Sequence, residues 1–216
     1  MMCPPGVLRE RVAALTAAVG ASAFLATLVG IDLASSERAS STLVSDMANG
    51  PYGTLFTAVT LTHGLANLGL AWVLARVLHP SPLTRIGALL VAIAALGTVT
   101  AAVFPTDPPG TDVTPAGSIH LAAASLSFTI EPIALLLLAQ AATFAQRWGR
   151  VTTASALQAI GGLVALLWQQ RMGLVPGGPE RVVLLTLAAW EGGTAAWILR
   201  GRLTNVNRAH ENEQRS

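Results

Sequence analysis

Six stretches of the sequence are almost purely apolar over the length of a helical membrane span, and no other feature restricts the chain as much. A hydrocarbon core of about 30 Å is crossed by roughly 20 helical residues, within a range of about 17–25. The blocks run over 12–31, 53–78, 86–104, 119–144, 151–168 and 182–199, the last two being the shortest. Breakers separate them: Asn49-Gly50-Pro51, His79-Pro80-Ser81-Pro82, the run from Pro105 to Gly117, and Pro176-Gly177-Gly178-Pro179. Lipid cannot satisfy an open strand edge, so each block has to be helical. Only 11% of the residues are charged, against about 25% in a soluble domain, too few to cover a water-facing surface. The sequence therefore predicts an all-α, polytopic transmembrane helix bundle of six spans within residues 1–204, followed by a polar cytoplasmic tail, 205–216.

Arginine sets the orientation, since all thirteen basic residues are arginine. With the N-terminus in the cytoplasm, the inner side holds ten: Arg9, Arg11, Arg76, Arg85, Arg147, Arg150, Arg200, Arg202, Arg208 and Arg215. The outer side holds three, Arg38, Arg171 and Arg181. This bias places both termini in the cytoplasm. The acidic residues Asp32, Glu37, Asp46, Asp107, Asp112 and Glu180 then fall outside. Arg9 and Arg11 before an apolar run that ends at Ala34-Ser35-Ser36 also suit a signal peptide. However, the block is longer than the usual h-region of about 7–15 residues, which favours a retained helix. Cleavage would leave five spans and the same cytoplasmic C-terminus.

Other features narrow the field. Cys3 is the only cysteine, so an internal disulfide and a cysteine-based metal cluster are both excluded, and it reads as an unpaired thiol. No basic surface interleaved with aromatics is present, so nucleic acid is not an expected partner. The lipid bilayer is the partner that the sequence requires, and the oligomeric state is open. Ala14, Ala18, Ser22, Ala26 and Gly30 form a small-residue row on the first helix, a face on which another helix can pack closely. There is no Walker loop, no dinucleotide fingerprint and no internal repeat, the last weighing against a transporter built from inverted halves.

Ionisable groups inside a span are costly, roughly 2.5–3.5 kcal/mol each on insertion scales, and default to a functional hypothesis. Three qualify: His63, Glu131 and Glu191, with Asn67 one turn beyond His63. His120, Ser127 and Glu131 follow one helical stripe, and Glu180 and Glu191, three turns apart, follow another. If these seams face each other and His63, they line a pocket open to the outside. The loop Phe104-Pro105-Thr106-Asp107-Pro108-Pro109-Gly110, with Asp112 and His120 after it, could join that pocket. His120, His63 and Asp107 are the candidate ligands for a divalent metal, although no cofactor is required by the sequence. The pattern has neither an HExxH pair nor two close histidines. Each residue also has a structural reading: Asx-turns for Asp107 and Asp112, a helix-start anchor for His120, and a kink at Glu131-Pro132.

Ser45-Asp46-Met47 stands ahead of Gly50-Pro51-Tyr52-Gly53. Phe104-Pro105-Thr106-Asp107 is followed by His120. Gly173-Leu174 and Glu180-Arg181, separated by residues 175–179, stand ahead of Trp190 and Leu199. In these features, spread over nearly the whole chain, the sequence resembles the bacterial and archaeal membrane-protein family catalogued as domain of unknown function 998. The resemblance implies a multi-helix membrane protein with no settled activity, in the inner or plasma membrane of a prokaryote. It singles out Asp107, His120, Glu180 and Arg181.

The first functional expectation is an outward-facing polar pocket that binds a lipid or small apolar ligand, with His63, Asn67, Asp107, Asp112, His120, Glu180 and Arg181 as its candidates. Whether the protein is an enzyme stays open. A metal-dependent membrane hydrolase or lipid-modifying enzyme would use Glu131 or Glu191 as general base. A proton-coupled carrier would exchange protons at the same two carboxyls, and a scaffold would use none of them.

The topology has a direct test. In a Cys3→Ser background, a cysteine placed at Ser45 is expected to react with a membrane-impermeant maleimide in intact cells. One placed at Ser81 is expected to react only after lysis, and the reverse pattern would invert the bundle.

Overall fold

The computed structural model describes residues 5–35, 42–142 and 146–201. Cys3, Arg38 and the tail 205–216 lie outside the described residues. The helices are α1 (Pro5–Ala34), α2 (Gly53–Val77), α3 (Pro82–Val103), α4 (Pro115–Ala141), α5 (Gln146–Arg171) and α6 (Gly177–Leu199), with a short 3-10 helix at Ser45–Asn49. All six are long and apolar enough to cross a membrane, and no strand occurs among the described residues. The protein is an all-α, polytopic transmembrane bundle.

Five helices begin four to seven residues before their apolar blocks, and in α3 and α4 the sequence supplies a cap. Ser81 Oγ accepts from the Thr84 N–H at 3.1 Å with Pro82 in the first turn. Thr114 Oγ1 accepts from the Gly117 N–H at 3.1 Å with Pro115 in the first turn. In both, the hydroxyl satisfies a free helix-start donor, and the proline supplies a ready φ where no N–H is missed.

The helices stand in a closed ring in chain order, α1 to α6, with α6 packed back on α1. Residues 42–52 and the connections 104–114 and 172–176 cluster at one end, here called the long-loop end. The ring is narrow because glycine lets its members approach. A Cβ on Gly64 of α2 would lie 2.9 Å from Val99 Cγ2 and 3.1 Å from the Val99 backbone N on α3. A Cβ on Gly97 of α3 would strike the Ser127 hydroxyl and lie 2.9 Å from the Ala123 carbonyl on α4. Close packing of this kind, rather than hydrophobic exclusion, holds helices together in lipid. The outer surface is apolar, with Leu89, Leu96, Leu157 and Val164 exposed, while His63, Glu131 and Glu191 are buried.

The small-residue row of α1 packs only at its start. Ala14 is buried and Ala18 half-buried, but Ser22, Ala26 and Gly30 are exposed. A step of four residues overshoots a helical turn by about 40°, so the row winds round to the lipid side. The buried face is instead Ala14, Ala17, Ala21, Phe24 and Leu28, whose alternating steps of three and four keep it turned to the ring.

α5 and α6 are joined by a reciprocal pair of hydrogen bonds. Trp148 Nε1 donates to Thr194 Oγ1 at 3.0 Å, and Trp190 Nε1 donates to Thr152 Oγ1 at 2.9 Å. The two indoles lie against each other with centroids 6.4 Å apart. Each helix contributes a Trp and a Thr one turn apart, so the antiparallel pairing works in one register only.

Replacing either threonine strands an indole N–H in an apolar interior. Thr152→Val and Thr194→Val are each expected to cost about 1–2 kcal/mol, between the average interhelical bond in lipid and the penalty of an orphaned donor. Equilibrium unfolding in mixed micelles measures this, with Thr→Ser as the variant expected to keep most of the loss at bay. Unchanged midpoints in both valine variants would show that the bonds carry no stability.

Candidate functional site

Four of the polar side chains meet near the centre of the ring. At about 1.5 Å per residue from the long-loop end, His63 lies about 15 Å down α2, Glu191 about 21 Å down α6 and Glu131 about 24 Å down α4. His63 Nε2 is 3.1 Å from Glu191 Oε2. Asn67 Nδ2 donates to Glu191 Oε1 and lies 3.2 Å from His63 Nε2. Glu131 faces Glu191 within interaction distance. Ionised carboxylates only accept, so a hydrogen bond between the two carboxyls requires a proton on one of them. Phe24 of α1 stacks on the imidazole with centroids 4.7 Å apart.

This floor is buried but incompletely satisfied. His63, Asn67, Glu131 and Glu191 are 6%, 3%, 7% and 2% exposed. Even so, His63 Nδ1, Asn67 Oδ1 and Glu131 Oε1 complete no hydrogen bond among the described residues, and Glu191 Oε2 faces the imidazole without completing one. Buried polar atoms are normally paired, so the unpaired ones of His63, Glu131 and Glu191, which line a cavity, mark a place where something else can bind.

Above the floor a cavity of about 100 Å³ runs to the long-loop end, bordered by residues of α1, α2, α3, α4 and α6. That is room for several waters. Phe24, Phe56, Phe128, Leu184, Leu187 and Ala188 make its walls largely apolar. The wall hydroxyls are spent on backbone: Thr60 donates to the Phe56 carbonyl at 2.8 Å, Thr98 to Ala94 at 3.2 Å, and Ser127 to Ala94 at 2.8 Å. Near the long-loop end the cavity meets His120 and Glu180. His120 Nδ1 lies 2.8 Å from the Ala101 carbonyl and 2.9 Å from that of Phe104. Carbonyls only accept, so Nδ1 carries a proton and holds the last turn of α3.

Glu180 and Arg181 fasten the first turn of α6 to its surroundings. Glu180 Oε2 accepts the Val44 N–H at 2.6 Å, just before the 3-10 helix. Arg181 forks onto Asp32 at the end of α1, with Nε at 2.9 Å and Nη2 at 2.7 Å. Its Nη1 donates to the Thr42 carbonyl at 2.8 Å and to that of Gly177 at 3.0 Å. The planar fork suits a carboxylate and fixes orientation as well as charge.

The structure thus gathers His63, Asn67, Glu131 and Glu191 in the floor, and places His120 and Glu180 higher along the same cavity. Asp107, Asp112 and Arg181 do not line it. Asp107 is turned to Thr114, whose hydroxyl and N–H it accepts at 2.6 Å and 2.9 Å, while Asp112 is exposed on the same loop. Among the described residues no three His, Cys, Asp or Glu side chains converge as metal ligands. His63, His120 and Asp107 are therefore not brought together. Two contributors carried no signal in the sequence: Phe24 is one apolar residue among many, and Asp32 is legible only as an acidic residue at a helix end.

Asp107 yields a prediction on pH. The Thr114 hydroxyl, and after it the Thr114 N–H, hold its carboxyl below the ordinary value of 3.8. A depressed folded-state value means that the contribution is complete above the unfolded value and is lost as pH falls through the folded one. The gap in Tm between the wild type and Asp107→Ala is thus expected to be widest near neutral pH and to close in acid. A gap independent of pH would remove the charge from the explanation.

No curated protein and no solved structure matches the chain. A family model described as a protein of unknown function (DUF998) matches residues 17–197. The match takes in most of α1, the helices that follow and the whole of the buried floor, and this multi-pass membrane protein belongs to the DUF998 family.

Proposed function

We propose that the protein binds a lipid or small apolar ligand in the cavity that leads from the long-loop end to the floor formed by His63, Glu131 and Glu191. The observation that carries this reading is the pairing of apolar walls with unpaired polar atoms at the inner end. Ligand sites are typically mostly apolar, with a few convergent polar groups that fix orientation. The arginine bias of the loops supports an entrance on the outer face of a prokaryotic plasma membrane, with both termini in the cytoplasm.

A proton-coupled carrier is the second reading, favoured by one observation: Glu131 faces Glu191 deep in the bundle with an imidazole in contact. Carboxyls placed so are a common element of proton relays. The hydrolase reading, with metal-activated water and Glu131 or Glu191 as general base, lacks comparable support from the side-chain arrangement.

Filling the cavity tests the first reading. Native mass spectrometry of the detergent-purified protein is expected to release one small molecule per wild-type chain and none from Ala124→Trp, whose new ring would occupy the wall between α3 and α4. Ala102→Phe provides an independent block from α3. Equal occupancy in the wild type and both variants would refute the site.

A further inference from the structure

We propose that the cavity selects for a ligand with an apolar body and an amine head, seated with its ammonium between Glu131 and Glu191. This inference rests on the proposed ligand-binding reading and adds the chemical class. Its basis is the hydrogen-bonding sense of the surfaces that a ligand would meet.

Acceptors predominate from floor to mouth. In the floor, the atoms that complete no hydrogen bond are three oxygens, one each from Asn67, Glu131 and Glu191, and one nitrogen, His63 Nδ1. Along the walls, Thr60, Thr98 and Ser127 have committed their hydroxyl protons to backbone carbonyls, so each presents lone pairs. His120 has committed its Nδ1 proton, which in the neutral ring leaves Nε2 an acceptor. A ligand that satisfies such a surface must bring N–H or O–H groups.

The charge balance selects among donors. Three carboxyl residues, Glu131, Glu180 and Glu191, line the cavity, and no arginine lines it among the described residues. Arg181, the nearest arginine in sequence, has its guanidinium taken up by Asp32 and two carbonyls. A carboxylate or phosphate head would enter without a fixed positive partner, and a buried charge left unpaired is strongly unfavourable. An ammonium has three donors and no acceptor, matching the two carboxyls that line the inner end of the cavity. His63 is the one group in the floor that can oppose it, and its Nε2 already faces Glu191 and Asn67.

The test uses three probes with one body and different heads: hexylamine, hexanol and hexanoate. Each is titrated into the detergent-purified full-length protein while Tm is followed by tryptophan fluorescence, because a ligand that binds the folded state raises Tm with concentration. Hexylamine is expected to stabilise saturably, with a Kd at least about tenfold below that of hexanol, as a charge-assisted hydrogen bond implies. Hexanoate is expected to have no saturable effect. Glu131→Gln, which keeps size and removes charge, is expected to erase the advantage of the amine. Should that variant fail to fold, the order of the three probes on the wild type decides the matter alone. Hexanol or hexanoate binding as tightly as hexylamine would overturn the amine assignment and leave the cavity reading standing. If no probe shifts Tm and Ala124→Trp also leaves native-state occupancy unchanged, both readings fall.

Discussion

A carboxyl group halfway across a bilayer is costly unless neighbouring helices meet it, and the bundle turns three side chains toward Glu191. Its partners come from α2, where His63 and Asn67 reach it, and from α4, where Glu131 faces it. α2, α4 and α6 are not neighbours in the ring, so these contacts exist only if the ring is narrow enough for its interior to close. The glycines at Gly64 and Gly97 make it so, bringing α2 to α3 and α3 to α4 at near backbone contact. Leucine in either place would open the ring and strand the polar groups that the interior was meant to pair. Close packing and the buried charges therefore depend on each other.

The architecture was legible because a bilayer imposes a length on every element, and six apolar blocks of that length allow few alternatives. The floor was legible for a related reason: His63, Glu131 and Glu191 are conspicuous where every charge is costly. What the sequence could not show was which way each helix turns. The row Ala14 to Gly30 looked like a packing face because small residues recur every fourth place, yet the helical pitch carries it out to lipid. The partners of the loop residues were hidden for a different reason. Asp107, His120 and Arg181 suggested a ligand or metal set, but Asp107 is bonded to Thr114 and Arg181 to Asp32 away from the cavity, while His120 lines it with Nδ1 held by the end of α3. Such partnerships depend on loop geometry that periodicity does not encode.

The two sides of the ring differ in how firmly they are joined. α5 and α6 are locked by the paired Trp and Thr bonds, and Gly162 of α5 lies directly under Val183 and Val182. The cavity runs on the opposite side, among α1, α2, α3 and α4, with α6 as its rear wall. Its upper border is the 42–49 segment, held by Arg181 and Glu180 at one end, by Asn49, which donates to the Thr106 carbonyl at 3.4 Å, at the other, and by Val44 packed against Phe24 and Phe56 between them.

Closure of the ring by its first and last members also has a consequence for how the protein is made. Asn67 and Glu191 are 124 residues apart, which at about 5–20 residues per second of synthesis separates their emergence by roughly 6–25 s. During that interval α2 has left the ribosome carrying an imidazole and an amide whose partner does not yet exist. Asp32 likewise waits for Arg181 across 149 residues. The nascent helices must be sheltered by the insertion machinery, or lie shallow in the membrane, until α6 arrives and the bundle shuts. Assembly of this protein is thus governed by its final helix, and a chain interrupted just short of α6 would be a substrate for quality control rather than a partly working product.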